Sequence, residues 1–267
     1  MRNRMFIVLF LSASLTCCAS SSQQRQQQSR AKDKDPKYQY NLGLVYLNQS
    51  NADAKNIDEA IKYFVKALSL DTRFYQAWNG VGLAQSLKGN LAESAKAFEK
   101  CLEINPAFTE ARNNLGSIYQ EMNQLDKAEA EFQKAIQDKT YVYHELPYYN
   151  LARLYVVQGK LDEALNYVQR AIKAKPRLAM AHNLKGIILD RQGQSEEAVS
   201  AYELAVRIVP DDLQFNFNLG AAYFATGDVS RAKEVFLKLS ERVTDPAMKT
   251  KVDQYLKDIR AKEAAGS

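Results

Sequence analysis

The same pair of short segments comes round six times in this chain. The first members are "YQYNLGLVYLNQ", "QAWNGVGLAQSLKGN", "EARNNLGSIYQEMNQ", "PYYNLARLYVVQGK", "AHNLKGIILDRQGQ" and "FNFNLGAAYFATGD". The second members are "DEAIKYFVKALSLD", "AESAKAFEKCLEINP", "DKAEAEFQKAIQD", "DEALNYVQRAIKAKP", "EEAVSAYELAVRIVP" and "SRAKEVFLKLSERV". Both have the apolar spacing of amphipathic helices. Gly82 to Gly116 is 34 residues, Gly116 to Ala152 is 36, and Ala152 to Gly186 and Gly186 to Gly220 are 34 each. Gly43 to Gly82 is 39, because "NQSNADAK" lengthens the first turn. A fixed period of this size means stacked helix pairs, none of which buries its apolar face alone.

Particular residues recur at particular places. The first helix of each pair (helix A) carries a small residue: Gly43, Gly82, Gly116, Ala152, Gly186 and Gly220. The second (helix B) carries Ala60, Ser94, Ala128, Ala164, Ala198 and Ala232, followed four residues later by Phe64, Phe98, Phe132, Val168, Tyr202 and Phe236. Between them Gly89, Gly159, Gly193 and Gly227, with Asn123, suit the positive φ that follows a helix end. Pro106, Pro176 and Pro210 stop three of the helices B. Together these residues resemble the tetratricopeptide repeat (TPR). The resemblance implies an all-α fold: a right-handed superhelical solenoid of six TPR helix-turn-helix repeats over 36–246, with a C-terminal capping helix and tail over 247–267. Pro246 opens that last helix, the polar-faced cap a solenoid needs.

The beginning of the chain is of another kind. Arg2 and Arg4 precede an unbroken apolar stretch, Met5 to Leu11, and "LTCC" follows. This has the order of a signal peptide, and is much shorter than the ~20 apolar residues of a spanning helix. Adjacent cysteines pair poorly with each other, and a metal would need further ligands nearby. The "LTCC" stretch resembles a bacterial lipobox, which implies cleavage after residue 17 and a lipid on Cys18. The alternative register places the lipid on Cys17. An ordinary cleaved signal peptide is the plainer reading. Residues 18–35 are then the lipidated cysteine and a polar tether, since "ASSSQQRQQQSRAKDKD" has no large apolar side chain to offset its ordering entropy.

Composition excludes several functions. Removing residues 1–17 takes Lys plus Arg from 36 to 34 against 31 acidic residues, leaving a net charge of +3. With no basic cluster, nucleic acid is not indicated. Cys101 is the one remaining cysteine, at a repeat position otherwise held by Ala67, Ala135, Ala171 and Ala205, where a small buried thiol fits. His144 and His182 are isolated. The acidic pairs Asp58–Glu59, Asp162–Glu163 and Glu196–Glu197 open helices B, where they complement the helix dipole. No catalytic constellation, metal site or cofactor site is expected, and the chain reads as a non-enzyme.

Function then falls to the inner wall, which in TPR proteins is built mainly by helix A. In the repeat register the inward positions include Tyr40, Asn79, Asn113, Tyr149, Arg153, Met180, Asn183, Phe217 and Phe224, a partner-binding groove more apolar in its second half. Packing against a neighbouring helix or the cap is the competing role for its apolar members. The asparagines suit either an extended peptide backbone or helix packing. Tyr40, Leu44 and Glu110 stand where the carboxylate-clamp TPRs need Lys and Arg. Whether the concave or the convex surface binds stays open.

One irregularity adds a finer resemblance. Between repeats 3 and 4, "AIQDKTYVYHELPYYNLARLY" has two inserted residues and no helix-ending proline. This segment, with lipobox, tether and six repeats, resembles the type IV pilus pilotin family of PilF/PilW-type lipoproteins. The resemblance implies an outer-membrane lipoprotein on the periplasmic face that binds a secretin subunit and promotes its localisation and assembly. The alternative is a TPR lipoprotein adaptor for other envelope machinery, such as peptidoglycan hydrolases or an export complex.

Overall fold

The computed structural model describes residues 31–48 and 53–265. Cys17, Cys18, most of the polar segment and part of the long first turn lie outside the described residues. From Pro36 onward every described element is a helix: α1 (Pro36–Leu47), α2 (Ala54–Leu70), α3 (Tyr75–Leu87), α4 (Leu91–Ile104), α5 (Thr109–Glu121), α6 (Leu125–Gln137), α7 (Glu145–Val157), α8 (Leu161–Ala174), α9 (Ala179–Arg191), α10 (Ser195–Ile208), α11 (Leu213–Ala225), α12 (Val229–Arg242) and α13 (Pro246–Ala265). Odd-numbered helices through α11 are helices A, and even-numbered ones are helices B. The chain divides into two compact units, 1–122 and 123–267, and the division falls between α5 and α6.

Five of the turns from helix A to helix B carry one residue with positive φ. Gly89, Gly159, Gly193 and Gly227 have φ of 76°, 75°, 77° and 85°, and Asn123 has φ of 58°. These are left-handed conformations that glycine and asparagine adopt at least cost. Asp35, Asp53, Asp212 and Asp228 cap helices by accepting backbone N–H bonds from Lys37, Asn56, Phe215 and Arg231.

In three of the pairs the two helices approach closely because helix A offers no side chain at the contact. A methyl group added at Gly43, Gly82 or Gly186 would lie 2.5, 2.6 or 2.5 Å from the ring of Phe64, Phe98 or Tyr202. Those rings fill the space, and Phe64, Phe98, Phe132 and Phe236 are fully buried. In the first unit the core gathers Ile57, Phe64, Leu68, Val81 and their neighbours. In the second it runs from Leu189 to Ile259, and Val252, Leu256 and Ile259 bring α13 into it.

A hydrogen bond recurs where one repeat hands over to the next. Trp78 Nε1–H donates to Thr72 O (3.2 Å), Asn216 Nδ2–H to Pro210 O (2.8 Å), and Arg112 to Pro106 O. His182 joins the series, its Nε2–H donating to Pro176 O at 2.8 Å. In the irregular junction before α7 the donor is one helical turn earlier: His144 Nε2–H reaches Asp138 O at 3.0 Å. Both histidines thus tie down the turn that follows a helix B, each through a backbone carbonyl just past the end of that helix.

The last part of the polar segment is held by the first unit. Ala31 to Asp33 are helical, the fully buried Gln39 donates its amide to Asp33 O (3.2 Å), and Lys66 pairs with Asp33 (3.0 Å). Composition gave no hint of this, because the anchoring groups are polar.

Candidate functional site

In the first unit α1, α3 and α5 touch in succession and form one wall. Tyr40, Asn79 and Asn113 lie one on each of these helices. Tyr40 is half-buried, with its ring centroid 5.7 Å from Phe64 and 5.3 Å from Phe74. Burial raises its hydroxyl pKa. Asn79 and Asn113 are buried, and Asn79 Oδ1 has no hydrogen-bond partner. Cys101, beneath this wall, is fully buried, and burial pushes its thiol up to about 12. It is therefore a packed thiol rather than a nucleophile at neutral pH.

In the second unit α7, α9, α11 and α13 touch in succession. Tyr149 and Arg153 sit on α7, the ring half-buried and the guanidinium exposed, 5.9 Å from the ring centroid. Burial raises the Tyr149 hydroxyl, against the opposing pull of Arg153. On α9, Met180 is 43% exposed and Asn183 is half-buried. Asn218 Nδ2–H of α11 donates to Asn183 Oδ1 at 2.8 Å, tying the two helices A together.

Phe217 and Phe224 lie on α11 and are partly buried by α13. Tyr255 meets them edge-on, with centroids at 5.7 and 5.6 Å, and stacks on Phe236 at 4.6 Å. Lys262 lies 5.0 Å from the Phe224 ring. Beside Phe217 a cavity of about 180 Å³ is lined by Gln214, Asp245, Ala247, Met248 and Lys251. The last helix is thus both a cap and part of the wall. The sequence analysis missed Met248, Lys251, Tyr255 and Lys262. Their spacing along one stripe of α13 was a visible signal, but a cap is read as an outer surface.

A second missed row joins successive repeats. Tyr119 O–H donates to Glu99 (2.6 Å), Tyr155 to Glu129 (2.7 Å) and Tyr223 to Glu203 (2.8 Å). Each tyrosine reaches from helix A onto the helix B before it. Burial and the bond to the carboxylate raise the hydroxyl pKa of Tyr155, and push that of Tyr223 up to about 12.

Among the described residues no cluster of His, Cys, Asp and Glu has the makings of a metal site, and no helix is long and apolar enough to cross a membrane. What the wall of the second unit offers is aromatic rings with cations beside them.

Sequence models described as tetratricopeptide repeat match residues 36–74, 75–108, 108–177, 149–212 and 191–254, and so run without a gap from the first helix pair into the last helix. The chain belongs to the tetratricopeptide-repeat family. As a TPR protein it carries the fold of protein-binding scaffolds. Among solved structures it is similar to Pseudomonas aeruginosa PilF, at TM-score 0.72 and 16% identity over 87% of this chain and 99% of that one. It is also similar to PilW, described as a widely conserved type IV pilus biogenesis factor, at TM-score 0.74 and 20% identity over 81% of this chain and 97% of that one. At these identities the likeness is one of fold. A human relative, the intraflagellar transport protein 88 homolog, is 25% identical over 114 residues, which is 40% of this TPR chain but 14% of that protein.

Proposed function

We propose that this TPR protein is a lipid-anchored scaffold of type IV pilus biogenesis. Cys18 holds it to the periplasmic face of the outer membrane, and its inner wall binds a secretin subunit and promotes that subunit's localisation and assembly. The observation that carries this reading is extent as well as fold. Practically the whole of PilF and PilW, 99% and 97% of their chains, is matched by this one. The "LTCC" stretch and the polar segment behind it support the anchor.

The test is a crosslink and pulldown from native envelopes with tagged full-length protein, partners being identified by mass spectrometry. A secretin subunit is the expected catch. Recovery of peptidoglycan hydrolases or an export complex, without any secretin, would replace the pilus role by that of an adaptor for other envelope machinery.

A further inference from the structure

The wall of the second unit carries three cations that have no acidic partner among the described residues, each beside an aromatic ring. Arg153 lies over Tyr149 at 5.9 Å and Lys262 over Phe224 at 5.0 Å. Lys251 shares the lining of the 180 Å³ cavity with Phe217. All three are exposed. Three other cations of this unit are held in ion pairs, Lys175 with Glu145, Lys233 with Glu263, and Arg242 with Asp211.

Three carboxylates of this unit each accept a hydrogen bond. Asp190 accepts the Tyr202 hydroxyl (2.8 Å), Asp245 accepts the Met248 N–H (2.7 Å), and Asp258 accepts the Gln254 amide (2.7 Å). Between the aromatic pairs, Asn183 takes a bond on its Oδ1 and keeps its Nδ2–H groups without a partner among the described residues. The wall therefore presents apolar rings, a cation over Tyr149 and another over Phe224, Lys251 together with Asp245 in the cavity beside Phe217, and an amide donor between them.

From this complementarity we propose that the second-unit wall binds an extended protein segment in which acidic side chains alternate with aromatic or large aliphatic ones. The apolar side chains pack on Tyr149, Phe217 and Phe224, and one enters the cavity. The carboxylates meet Arg153, Lys251 and Lys262, while Asn183 donates to a backbone carbonyl. A cation held between a ring and a carboxylate is better placed than one on an open surface. Three scattered cations are too few for the phosphate contacts that dominate nucleic-acid binding. The proposal rests on the scaffold role above and names the chemistry of the segment bound.

The test uses the full-length protein in detergent and a fluorescein-labelled octapeptide alternating aspartate with phenylalanine and leucine, followed by anisotropy. Saturable binding is expected, weakened by salt. Lysine in place of aspartate should abolish it. The charge reversal Arg153→Glu, Lys251→Glu, Lys262→Glu alters only exposed side chains, and its melting curve checks the fold. It should weaken binding by about tenfold or more, given exposed pairs of up to ~1 kcal/mol each. Equal binding of the aspartate and lysine peptides, or unchanged binding by the triple variant, would overturn the proposal. So would capture of phosphatidylglycerol vesicles through the same three cations without peptide binding. Peptide binding without secretin in the pulldown would leave this inference standing and remove the pilus role. Secretin recovered equally by the triple variant would do the reverse.

Discussion

Gly82 shows how much a single hydrogen atom decides in this fold. A methyl group there would stand 2.6 Å from the Phe98 ring, and that ring is fully buried. Gly82→Ala must therefore push two helices apart or twist the ring, a kind of overpacking that costs about 1–3 kcal/mol. Urea unfolding should show the loss, with an unchanged m-value if only the native state is affected. Tyr223 makes a different demand. Its hydroxyl is raised from 10.0 to about 12, first by burial and then by its bond to Glu203. The folded state keeps the proton while the unfolded chain loses it, so stability is intact below pH 10 and falls as pH rises toward 12. Tyr223→Phe should lose about 1 kcal/mol at neutral pH and flatten part of the alkaline fall. Melting temperatures from pH 8 to 11 for both proteins check the sign.

At the level of elements, the sequence made the helices legible because the same residues recur at the same spacing. Gly89, Gly159, Gly193, Gly227 and Asn123 all take the positive φ that their places between amphipathic segments imply. The same register puts Tyr40, Asn79 and Asn113, and likewise Tyr149, Asn183 and Phe217, on successive helices A, and the structure buries Asn79 and Asn113. The handover bonds of His144 and His182 were not legible, since each is made to a backbone carbonyl and leaves no pattern in side-chain type. Nor was the double role of α13. Its Val252, Leu256 and Ile259 face the core while Tyr255 turns to Phe217 and Phe224. Burying three such apolar side chains stabilises by about 1.5–3 kcal/mol each. A chain ending at Val243 should therefore lose far more than a terminal tail. Amide exchange in α11 and α12 should accelerate strongly, and a dye for apolar surface should bind. If exchange in α11 stays slow, the last helix is an accessory and not part of the wall.

For the whole molecule the decisive question is what the proposed anchor adds to the wall. A bound partner released from a soluble protein diffuses away, whereas one held by a membrane-tethered protein stays near the surface at a high effective concentration. A single acyl chain gives only reversible attachment, and two or more make it stable, so the proposed lipid on Cys18 would keep the scaffold in place through many binding events. Anchor and wall then contribute separately and can be separated by experiment. Cys18→Ala, with Cys17 also changed to Ala to remove the other register, is expected to leave the protein in the soluble periplasmic fraction. Its affinity for the acidic–aromatic peptide should match the parent's, because the residues of the wall are untouched. Secretin multimers in the outer membrane should nevertheless fall steeply, as judged by fractionation and immunoblot. If the unanchored protein places the secretin normally, delivery to the membrane is not its contribution, and the binding wall must act by holding its partner soluble instead.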